Sequence, residues 1–107
     1  MIITKSEPFT KKGIEKLKQN QKIIIESLAM DLKRVALGLR RGSFKMAERF
    51  KEEALKRSRE LENQNLNSYL KKLLQGTKEA LRSDKKRMAE DALMYSTLFQ
   101  NFALKKM

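Results

Sequence analysis

The chain has 107 residues, of which 25 are Lys or Arg and 13 are Asp or Glu, giving a formal net charge of +12. It has neither His nor Cys, which removes thiolate and imidazole catalysis, disulfides, and zinc sites built on N or S ligands. One domain is expected at this length, and 40% hydrophobic residues in regular stripes argue against intrinsic disorder.

Four Gly, one Pro and a single Val (Val35) are too few for a turn-rich β protein. The abundance of Ala, Leu, Lys, Glu, Arg, Gln and Met predicts an all-α chain. The N-terminal stretch lacks the sustained apolar segment of a secretory signal. The uncharged run from Ala92 to Leu104 is 13 residues, short of the ~20 that span a bilayer as a helix. A cytoplasmic protein without a membrane partner is the expectation.

Residues 1–9 are expected to form an N-terminal arm, ordered or disordered, and residues 10–107 a single helical-bundle domain. Ser6, Pro8 and Thr10 are start signals for the first helix. Ile14, Leu17, Gln21, Ile24, Leu28, Val35 and Leu39 then recur at helical spacing, reinforced by Ile25 and Leu32. Arg40-Arg41-Gly42-Ser43 ends the pattern, with cations in the last turn, a Gly at C′ and a Ser to cap the next helix.

The second helix starts near Phe44, and Met46, Ala47, Phe50, Ala54 and Leu61 share its face. Its phase breaks at Asn63-Gln64-Asn65-Leu66-Asn67, after which Leu66, Tyr69, Leu70, Leu73 and Leu74 lie on another side. Gly76 and Thr77 read as a stop and a cap, although a helix continuous across Gly76 fits the phase of Leu70 and Leu74. The last helix places Leu81, Met88, Ala92, Tyr95, Phe99 and Phe102 on one stripe. The expected architecture is an elongated bundle of three long helices, or four if the second breaks near 63–67.

A second apolar stripe on the first helix, Ile23, Met30 and Leu37, repeats every seven residues nearly opposite the main one. Either the helix is central and buried on two sides, or the stripe is a protein interface for a homodimer or another subunit.

The cations are unevenly placed. Residues 1–43 carry an excess of +6, and 44–76 and 77–107 carry +3 each. Lys11, Lys18, Lys22, Lys33 and Arg40 fall within about 60° of arc on the first helix, with Arg34 and Arg41 on the opposite flank. Lys45 and Arg49 follow the turn, so Lys33 to Arg49 holds six cations and one acid, Glu48. Rows of Lys and Arg on rigid helices displace counterions from nucleic-acid phosphates, giving affinity that depends on salt and little on sequence. With no Trp and few other aromatics, base stacking is not the expected source of affinity. Each cation also has a plainer use: those in a last turn complement the helix dipole, and Lys stems cover apolar neighbours. The surplus as a whole exceeds the ~2–8 charges that suffice to keep a small domain soluble.

Catalysis by carboxylates finds no support. Glu52-Glu53 and Glu90-Asp91 splay around their helices, and Glu48 and Glu52 are flanked by Lys45, Arg49 and Lys56. No phosphate-loop or dinucleotide motif occurs. The expectation is a binding protein with no cofactor, metal or small-molecule substrate. Its partner is nucleic-acid backbone within a larger assembly or, alternatively, an acidic protein.

Overall fold

The computed structural model describes the backbone of residues 2–64 and 66–106 and the side chains of 20–64 and 66–104. Four helices form it: α1 (Ile2–Arg41), α2 (Phe44–Glu62), α3 (Ser68–Ala80) and α4 (Lys85–Lys106). No strand occurs among the described residues. The principal extents are 60 × 25 × 22 Å. The long dimension is that of α1, whose 40 residues at 1.5 Å each span about 60 Å. The backbone from Ile2 onward belongs to α1, while the side chains of residues 1–9, expected as an arm, and of Ile14, Leu17, Lys11 and Lys18 lie outside the described residues.

The turn after α1 forms as its residues require. Gly42 has φ +76°, a conformation that costs a residue with a Cβ. Its N–H donates to the Leu39 carbonyl (3.3 Å), and that of Ser43 donates to the Gly38 carbonyl (2.8 Å). This is the Schellman arrangement that satisfies the last carbonyls of a helix. Ser43 does occupy the N-cap position of α2, but its side chain makes no capping bond.

The phase break after α2 is a true interruption. Asn63 ends α2, and Asn67 caps α3 by accepting from the Leu70 N–H at 2.9 Å. Leu66, between the two, is buried.

Gly76 and Thr77 do not stop a helix; α3 runs through both to Ala80. A Cβ on Gly76 would lie 2.6 Å from Cζ of Tyr95 and closer still to its hydroxyl, so the glycine admits an α4 side chain. The Thr77 hydroxyl is fully buried and donates to the Leu73 carbonyl at 2.8 Å. The boundary falls instead at Leu81–Asp84, where Asp84 accepts from the Arg87 N–H at 2.9 Å and opens α4.

The four helices alternate in direction, and α1 packs extensively on both α2 and α4. α3 packs mainly on α4 and touches α2 sparsely. The core is mainly aliphatic around one aromatic ring: Ile25, Leu28, Leu32 and Val35 of α1 are fully buried, as are Leu61, Leu81 and Phe99. α4 buries the small residues Ala89, Ala92, Ser96 and Ala103, and the Ser96 hydroxyl reaches the Ala29 carbonyl of α1 at 2.7 Å.

α1 is thus central, but through its main stripe only. Ile23 and Met30 of the second stripe are 59% and 54% exposed, and Leu37 is half-buried. Burial between neighbouring helices therefore does not account for that stripe. α2 and α4 both fit on the broad main face, leaving the opposite face without a neighbouring helix among the described residues.

Candidate nucleic-acid interface

The Schellman turn directs the chain back on itself, so the last turn of α1 and the first of α2 lie side by side. Arg40, Arg41, Lys45 and Arg49 are all exposed there. None of the four has an ion-pair partner among the described residues. The first turn of α2 holds no acid and its cap residue leaves the leading N–H groups without a side-chain acceptor, so the local potential is positive.

The α3–α4 turn brings a second basic segment to the same end. Arg82, Lys85, Lys86 and Arg87 are exposed, and Lys85 Nζ sits 3.9 Å from the centre of the Phe44 ring at the start of α2. A cleft of about 250 Å³ separates the turns, lined by Leu39, Phe44, Glu48 and Lys51 on one side and by Ser83 and Lys85 on the other. Clusters forty residues apart in sequence become one basic pole. Three acids lie against it: Asp84 is committed to the α4 cap, Glu48 lies 3.7 Å from Lys51, and Asp91 lies 3.5 Å from Arg87.

The remaining predicted residues divide. Lys33 is exposed, seven residues before Arg40 on the same flank of α1, and joins the pole as an extension about 10 Å up the helix. Lys22 is half-buried and about 27 Å along α1 from Arg40, so the fold does not bring it to the pole. Arg34 has structural duties. It stands 3.8 Å from Asp31, and its guanidinium lies 5.0 Å from the centre of the Phe50 ring, which Arg49 also approaches at 5.8 Å. Of the aromatics free to stack, Phe44 is engaged by Lys85 and Tyr69 by Phe102 at 5.7 Å.

Sequence reasoning gave no role to Asp31. Its side chain is 5% exposed and accepts from Arg57 Nε at 2.8 Å, tying α1 to α2. Burial pushes its carboxyl above the ordinary value, against the opposing hydrogen bond and charge of Arg57 and the charge of Arg34. An acid beside Leu28, Leu32 and Val35 was the available signal, since such a group needs a partner.

Ile23 and Met30 stand exposed between two basic flanks, Lys33 and Arg40 on one side and Arg34 and Arg41 on the other. Among the described residues no helix is long and apolar enough to cross a membrane, and no group of three or more acids is placed to hold a metal ion. No protein-family model, curated protein or solved structure matches the chain.

Proposed function

We propose that this chain is a small basic helical bundle that binds nucleic-acid phosphate backbone with little sequence preference, as a cytoplasmic subunit of a larger assembly. The observation that carries the reading is the basic pole, where two turns distant in sequence present exposed cations with few acids to neutralise them. Phosphate contacts of this kind position a protein without reading bases. The role is binding and not catalysis, with no cofactor, small-molecule substrate or membrane partner.

Fluorescence anisotropy with labelled single- and double-stranded DNA and RNA, across a salt series, tests it. About five phosphate contacts at the pole correspond to a log–log slope near −4.5 on duplex, or roughly 500-fold between about 50 and about 200 mM salt. Unrelated sequences should give similar curves. Replacing Arg40, Arg41 and Lys45 by Gln should make the slope shallower by about 2.7. Absence of binding at low salt would sink the reading.

The exposed Ile23 and Met30 support a second reading, an adaptor docked on another protein through α1. Their basic flanks suit an acidic partner and oppose pairing with a second copy, which would set like charges together. Light scattering on the wild type and on Ile23→Lys and Met30→Lys decides the point. A monomer mass throughout removes the homodimer, and a dimer that both changes dissolve would establish it.

A further inference from the structure

α2 and α3 splay apart from the 63–67 link, leaving an open groove of about 600 Å³ between them. Its floor is apolar, made by Leu55 and the fully buried Leu81, and its rim carries Lys51, Arg59, Lys78 and Arg82. Glu62 also lines it and pairs with Lys78, while Lys51 lies 3.7 Å from Glu48. Arg59 and Arg82 are exposed and have no ion-pair partner among the described residues.

We propose that this groove is a binding site for linked phosphate groups. Lys51 and Arg59 are eight residues apart, about 12 Å along α2, which is too far to grip a single phosphate and suits a chain of them. Arg59 and Arg82 supply planar forks that match phosphate oxygens from opposite walls. Half-buried Leu55, backed by the buried Leu81, offers contact to the uncharged part of a ligand, such as a sugar between two phosphates. Lys51 lines both this groove and the cleft between the turns, so the two surfaces are continuous. The proposal extends the nucleic-acid reading of the pole and does not rest on Arg40, Arg41, Lys45 or Arg49; Arg82 is shared with the pole and Lys51 with the cleft beside it, whereas Arg59 and Lys78 belong to the groove alone. A nucleic-acid strand and free polyphosphate share the required chemistry.

Amide NMR titration of the full chain with sodium tripolyphosphate, and separately with a short oligothymidylate, tests the site. Saturable shifts are expected at Leu55, Arg59, Leu81 and Arg82. R59Q/R82Q should weaken groove binding about tenfold or more, while R40Q/R41Q changes it less than about threefold. R59K/R82K, which keeps charge but loses the forks, should fall between the wild type and R59Q/R82Q and guards against a folding defect. A response to the oligonucleotide alone assigns the site to a strand, and a response to both supports linked phosphates in general. Silence toward both ligands, or equal weakening by R59Q/R82Q and R40Q/R41Q, overturns the proposal.

Discussion

Removing Arg57 is expected to damage the fold more than removing the charge of Asp31, although both changes act on the same 2.8 Å contact. The asymmetry follows from exposure, since the Asp31 side chain is 5% exposed and that of Arg57 is 33%. In Asp31→Asn the amide oxygen can still accept from a guanidinium that is also open to water, and the cost is that of exchanging a charge-assisted bond for an ordinary one, about 1 kcal/mol. In Arg57→Met the orphaned carboxylate stays buried. Breaking a buried pair in this way costs ~3–5 kcal/mol; Arg34 remains 3.8 Å away and brings the expectation to about 2–3 kcal/mol.

The pH dependence gives the same pair a second signature. A carboxyl whose pKa is raised by folding contributes stability below its unfolded value of 3.8 and loses it as pH rises through the folded value. Arg57→Met removes two of the influences that hold this pKa down, so its excess penalty should be full near neutral pH and shrink as pH falls toward 3.8. Urea denaturation followed by circular dichroism at about pH 7 and about pH 4.5 measures both effects. An Arg57→Met penalty no larger than that of Asp31→Asn, or one that does not shrink in acid, refutes the reasoning.

Gly76→Ala carries opposite signs from propensity and from packing. Helix propensity alone predicts a gain of about 1 kcal/mol, whereas the Tyr95 ring in the way predicts a net loss of about 1–2 kcal/mol. Chemical denaturation reads the sign, and a smaller loss in the Tyr95→Leu background would identify the ring as the cause. Asn67→Ala should cost about 1 kcal/mol through its lost cap, and Ser43→Ala a few tenths at most. Equal costs would show that capping geometry does not govern these two helix starts.

Local chemistry made part of this fold legible. Arg40-Arg41-Gly42 marks the end of α1 because the turn needs a positive φ, and that requirement belongs to the residue itself. The Asn-rich link is legible for the same reason: Asn67 satisfies the first turn of α3 with its own side chain. Gly76 misleads because its role depends on Tyr95, nineteen residues onward, and a contact between helices leaves no mark on local spacing. Leu81 fits the stripe of α4 by period yet belongs to the turn before it, since Asp84 opens the new helix. The candidate site divides along the same line. Exposure at Arg40, Arg41, Lys45 and Arg49 follows from helix phase, whereas the arrival of Lys85 beside Phe44 and the Arg59–Arg82 groove depend on which helices become neighbours.

The two basic turns share one end because α1 and α3 both run toward it, and α2 and α4 both leave it. Among the described residues the densest group of exposed cations therefore lies at one end of a rod, which bears on how the molecule would meet a polyanion. On the proposed reading, a molecule that met a strand end first would stand upright on it instead of lying along it. Its footprint is then its cross-section of 25 × 22 Å and not its 60 Å length. On duplex at 3.4 Å per step that amounts to about seven base pairs per molecule. Neighbouring copies would stand side by side, with the α1 face of Ile23 and Met30 directed along the row or away from it.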